Sequence, residues 1–114
     1  MKIAMAAAVL ALVVSPAALA AGDAAAGKAA FQQHCSPCHG ADAMGNTPMA
    51  KAFNADLNLH DQKAQSLKDS DIADIIKNGN VGKGGKMPKP PGVNEADIPN
   101  LIAFIRSLAD KKAQ

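Results

Sequence analysis

The chain has no tryptophan and no tyrosine, and only three phenylalanines in 114 residues. Much of its 48% hydrophobic content is alanine, so the side chains available to build an interior are few and small. A domain of this size with so thin a core needs a staple: disulfides, a metal or a bound group. Cysteine is nearly absent too. The two present could close one disulfide across two intervening residues, which would restrict the unfolded chain very little. Charge of one sign is also missing: twelve basic residues, one of them Lys2 near the N-terminus, stand against ten acidic ones, a balance that argues against nucleic acid as a partner.

Long apolar runs are absent apart from residues 3–14, which follow Lys2 and are broken by Ser15-Pro16 ahead of the small-residue site Ala18-Leu19-Ala20. That order reads as a secretory signal, with cleavage after Ala20. The run falls short of the ~20 residues of a membrane helix, so no stable membrane insertion is expected. No cysteine follows the site to take a lipid. The expected organisation is therefore a cleaved leader at 1–20 and one domain at 21–114, a monomer delivered to the periplasm.

What remains reads as all-α. Asp23 is placed to cap a helix from Ala24 to about His34, with Gly27, Ala30, Phe31 and His34 on one face. Gly27 costs a helix roughly 1 kcal/mol relative to alanine, which implies that another backbone or ring passes close by. Gly40, Gly45, Asn46 and Pro48 punctuate loops, and Phe53 falls on a short helical turn. A second helix is expected over 67–77, with Ile72, Ile75 and Ile76 on one side, aspartates at its front, Lys77 at its end and Gly79 as its stop. Residues 79–92 hold five glycines and three prolines and read as irregular chain. A last helix starts near Asn94, with Asp97 in the reciprocal capping position and Val93 and Ile98 as a hydrophobic staple. Its buried face is Ile98, Leu101, Ile102, Ile105 and Leu108, with Phe104 at the edge. Pro99 requires either a start at Asp97 or a distorted first turn.

Both cysteines and two of the three histidines fall in His34-Cys35-Ser36-Pro37-Cys38-His39-Gly40. A dithiol oxidoreductase would place such a pair between a strand and a helix, and here it follows a helix. Zinc would need a fourth ligand that the sequence does not offer. C-x-x-C-H is the attachment signature of a c-type haem. Its spacing sets Cys35, Cys38 and His39 on one side of a helical turn, so that two sulfurs bond the porphyrin edge and the imidazole reaches the iron. Burying several hundred Å² of porphyrin at ~25 cal/mol per Å² supplies on the order of 10 kcal/mol, which is the missing core. Candidates for the opposite face of the iron are Met44, Met49, His60 and Met87. Met44 lies close behind His39, with little chain to round a haem edge. Met49 reads as a gap filler, His60 stands alone in a polar loop, and Met87 sits in the glycine-rich segment.

These stretches resemble the small bacterial monohaem class I cytochromes c: residues 27–31 ahead of the Cys35-to-Gly40 motif, then residues 72–79, Lys86-Met87-Pro88 and the C-terminal helix, in that order. The resemblance implies a cytochrome c fold, three to four short helices around one covalently attached haem c, with thioethers at Cys35 and Cys38, His39 as the proximal ligand and Met87 as the distal one. It also implies that the terminal helices cross at Gly27 and Phe104. The family often places tyrosine or tryptophan where Phe104 and other core residues lie here, leaving Arg106, lysines or main-chain amides as donors to the haem propionates. The expected function is a soluble one-electron carrier between redox-partner proteins, not an enzyme. The alternative is a gas-binding, sensing or weakly peroxidatic haem protein with an open sixth position. Lys77, Lys83, Lys86 and Lys89 bracket the Met87 loop and could steer it toward an acidic partner.

Overall fold

The computed structural model describes residues 8–9 and 22–110. Nearly all of the leader, its cleavage site included, lies outside the described residues. The rest is helical, with no named strand among the described residues and one isolated bridge, Val81 to Gly85. Among the described residues there are six α-helices: α1 (Ala24–His34), α2 (Ser36–His39), α3 (Pro48–Phe53), α4 (Gln62–Gln65), α5 (Asp69–Asn78) and α6 (Ile98–Ser107). Three of them are long enough to show a periodic face. The other three are turns of four to six residues, two of them, α3 and α4, held by side-chain caps.

Helix α1 begins where the sequence places it, with the Asp23 carboxylate accepting from the Ala25 and Ala26 amides. It packs across α6, which in turn packs on α5. At the crossing a Cβ on Gly27 would lie 1.8 Å from the Asn100 carbonyl oxygen and 3.0 Å from the Phe104 Cβ. The glycine is thus a steric requirement, met chiefly by the Asn100 main chain. Phe104 is buried in the core, not at its edge, with its ring centroid 5.0 Å from that of Phe31 in a tilted pair. Leu101 and Phe31 are the two largest fully buried side chains. Ile102, expected in the core, is only partly buried.

The start of the last helix differs from the expected cap. Residues Glu95–Asp97 form a 3-10 turn, α6 proper begins at Ile98, and Pro99 occupies its first turn, where no amide is needed. Neither Asn94 nor Asp97 makes a side-chain cap hydrogen bond, because Glu95 pairs with Lys77 (2.8 Å) and the chain enters through the tighter turn. Val93 does pack against the cluster containing Ile98. Helix α5 starts at Asp69, two residues later than expected, and stops at Gly79, which has φ +71°. Pro48 opens a helix instead of a loop: Thr47 caps α3 by accepting from the Ala50 amide. Asp61 caps α4 in the same way.

Candidate functional site

The C-x-x-C-H segment is shaped by its own backbone. Cys35 ends α1, donating its amide to the Phe31 carbonyl, and its own carbonyl accepts from Cys38 (3.2 Å) and His39 (3.0 Å). Gly40, at φ +87°, closes the turn by donating to Ser36. The Thr47 hydroxyl donates to the Cys38 carbonyl at 2.6 Å, tying this turn to the start of α3. Both thiols are free and partly exposed. Burial, then the nearby Cys38, pushes the Cys35 thiol up to about 11, so it stands as a neutral thiol.

His39 is oriented from a distance. Its Nδ1 lies 2.9 Å from the Leu57 carbonyl oxygen. A carbonyl only accepts, so Nδ1 carries the proton and Nε2 keeps its lone pair for a metal. Burial lowers the imidazole's affinity for a second proton, and the Leu57 hydrogen bond opposes that in part. The neutral ring is the ligating form. Phe31 flanks it, with ring centroids 6.2 Å apart. Leu57 itself sits in a stretch pinned by Asn58 accepting His60's amide and by Leu59 donating to Ala43.

Cys35, His39 and Met87 line one pocket with walls that are otherwise apolar, among them Phe31, Leu59, Ile72, Ile75, Ile76, Leu101 and Ile105. Ile75 therefore has its place at the cavity while Ile72 and Ile76 also enter the core. Cys38 is on the same helical turn as Cys35 but is not part of the cavity wall. A thiol, an imidazole with a free nitrogen and a thioether around an apolar space, with a second thiol on the adjoining turn, suit a flat, iron-bearing macrocycle. A bare ion has less to hold it, since no cluster of three or more His, Cys, Asp or Glu residues among the described residues could bind one.

The other sequence candidates lie elsewhere. Met44 and Met49 are absent from the cavity wall, and Met49 is 40% exposed. His60 is not a solvent-facing loop residue: its Nδ1 lies 3.2 Å from the Leu108 carbonyl and its Nε2 2.7 Å from that of Asp42, so the ring bridges loop to C-terminal helix. His34 packs near Gly92. Arg106 is committed to the protein, with Nε on Asp69, Nη1 on the Gln65 carbonyl and Nη2 on the Leu67 carbonyl and Asp69. That engagement removes it as the main propionate donor. Of the four lysines around the Met87 loop, Lys77 is paired with Glu95 and Lys86 donates to the Phe53 carbonyl at 2.9 Å. Sequence reasoning missed Thr47, Leu57 and Asn80. Only Thr47 left a trace, as a hydroxyl residue directly before a proline at a helix start.

Comparison with known proteins agrees with this arrangement. Residues 24–109 match the Cytochrome c family. The chain is also similar to cytochrome c-554(547) of Halothiobacillus neapolitanus, 34% identical over 93 residues that span 77% of this chain and 99% of the relative. A helical fold closed around an apolar cavity, a C-x-x-C-H turn at its wall and this match along the whole domain establish that the chain belongs to the cytochrome c family, electron carriers with covalently bound haem c.

Proposed function

We propose that the protein is a soluble, exported one-electron carrier, with haem attached at Cys35 and Cys38 and its iron held by His39 on one side and Met87 on the other. The observation that carries this reading is the convergence of Cys35, His39 and Met87 on one apolar cavity, although Met87 is remote from the other two in sequence. When bound, haem supplies a one-electron Fe(II)/Fe(III) couple, and a His/Met pair raises its potential. The chain does the rest. Leu57 fixes the tautomer and angle of His39. The apolar walls would exclude water from haem held there, and with His39 and Met87 both serving as ligands no coordination position would be left for a substrate, so the residues present would support electron transfer and not bond chemistry. A leader over residues 1–20 and a destination in the periplasm complete the proposal. No helix among the described residues is long and apolar enough to cross a membrane.

With the charge of Lys77 offset by Glu95, the lysine group around the loop offers a smaller steering surface than the sequence suggested, while Lys86 keeps its charge as it donates to the Phe53 carbonyl. Partners are redox proteins met transiently by a monomer. The test is Met87→Ala in the haem-loaded protein. Loss of the weak near-infrared methionine-to-iron band, a lower potential and rapid carbon monoxide binding are expected. Retention of the band and potential would rule out Met87, and rapid carbon monoxide binding by the parent would favour the open-site alternative.

A further inference from the structure

The segment that carries Met87 is closed at its neck by one residue. The Asn80 amide donates to the Met87 carbonyl at 2.9 Å, and the Met87 amide donates to the Asn80 side-chain oxygen Oδ1 at 2.8 Å. Asn80 thereby grips both main-chain groups of Met87. Its own carbonyl accepts from Lys83 (3.0 Å) and Gly85 (3.2 Å), so the same residue also organises the inside of the loop. Two glycines let it fit. A Cβ on Gly79 would lie 2.6 Å from the Lys89 nitrogen and 2.7 Å from the Met87 oxygen, and one on Gly85 only 2.2 Å from the Asn80 Nδ2. The tip is open: a Cβ on Gly82 or Gly84 would meet nothing within 4 Å beyond its chain neighbours. The loop thus combines an open tip with a tightly packed neck. Pro88 then limits the backbone on the far side of Met87.

We propose that Asn80 is the positioning residue for the distal ligand: its Oδ1 holds the Met87 main chain so that only the side-chain rotors of Met87 remain free on the cavity side. The proposal rests on the reading of Met87 as that ligand. A methionine side chain has three rotatable bonds and is a weak, adaptable partner. Anchoring its backbone therefore decides how often the thioether is away from the iron. Removing the Oδ1 acceptor takes away one hydrogen bond from a half-buried amide, a change that carries roughly a tenfold shift in such an equilibrium. An external ligand that binds only when the position is open then gains affinity by the same factor.

The experiment titrates the oxidised, haem-loaded protein with imidazole and follows the shift of the main haem absorption band, which every variant retains. Asn80→Leu, which lacks the acceptor, is expected to bind imidazole about tenfold more tightly than the parent. Asn80→Asp, which keeps an oxygen at that position, should stay within about twofold. Gly85→Ala provides an independent approach, since its methyl would displace the Asn80 side chain without touching Met87, and it too should tighten imidazole binding. Equal imidazole affinity in the parent, Asn80→Leu and Gly85→Ala overturns the proposal, whatever happens to thermal stability. Met87→Ala separates the two readings. If it binds imidazole no more tightly than the parent, the ligand assignment itself falls. If it binds far more tightly while Asn80→Leu and Gly85→Ala do not, only the role of Asn80 falls.

Discussion

Gly27→Ala tests the packing of the fold by the sign of its effect. Position 27 is in the interior of α1, and its φ is not in the left-handed region, so alanine would be preferred there by roughly 1 kcal/mol on helix propensity alone. The structure requires the opposite. A Cβ would sit 1.8 Å from the Asn100 oxygen and 2.5 Å from its carbonyl carbon, both main-chain atoms that cannot rotate away. Relief demands that α1 and α6 part, loosening the Phe31–Phe104 contact beneath them. Overpacking costs about 1–3 kcal/mol, and a clash with main-chain atoms falls at the top of that range, so after the gain of roughly 1 kcal/mol in propensity a net loss of about 2 kcal/mol is expected. For a domain of this size that lowers Tm by about 10 °C. The assay is thermal unfolding of the haem-loaded protein, with Ala26→Gly as a control. Ala26 is exposed on the same helix and should lose only the propensity difference of about 1 kcal/mol. A Gly27→Ala protein as stable as the parent, or more so, would refute the close crossing.

Two further outcomes follow from side chains outside the cavity. Arg106→Ala should destabilise by about 2 kcal/mol in urea unfolding, because the guanidinium bridges the main chain at Gln65 and Leu67 as well as Asp69. Arg106→Lys should recover less than half of this, and Asp69→Asn should cost less than Arg106→Ala, since Asp69 is the exposed end of the pair. An equal loss from Asp69→Asn would show that the ion pair, not the main-chain bridging, matters. The exposed Lys77–Glu95 pair predicts a pH window. A hydrogen bond from Lys77, and then its charge, hold the Glu95 carboxyl below its usual range, while Glu95 holds the Lys77 ammonium above its own in the same two ways. The coupling is therefore present above the unfolded carboxyl value and below the unfolded ammonium value. It fades as pH falls through the lowered Glu95 range or rises through the raised Lys77 range. A double-mutant cycle with Lys77→Gln and Glu95→Gln should find coupling at neutral pH and low salt that disappears in acid and in about 1 M salt. Coupling insensitive to both would contradict the assignment.

The parts legible in the sequence were those set by local rules. Asp23, Gly79 and the isoleucines of α5 define their helices through capping and periodicity, and C-x-x-C-H carries its chemistry in five adjacent residues. The misplacements came where two local rules competed. Asn94 and Asp97 have the right spacing for a capping box, but Pro99 in the first turn of α6 and the Lys77–Glu95 pair favour a 3-10 entry. Helices as short as α3 and α4 show no period to read, and their caps at Thr47 and Asp61 are single residues among many polar ones. Least visible were the long-range main-chain contacts. That the Leu57 carbonyl fixes His39, that His60 bridges Asp42 to Leu108, and that Asn80 grips Met87 depend on how loops meet, for which no residue pattern exists.

Covalent attachment of haem is tested most directly by intact-mass measurement of the protein purified from cells that attach haem. The predicted result is a polypeptide carrying the mass of one haem that survives denaturation, and that is lost when Cys35 and Cys38 are both replaced by alanine. A mass equal to that of the bare polypeptide, from cells that attach haem to other proteins normally, would contradict it.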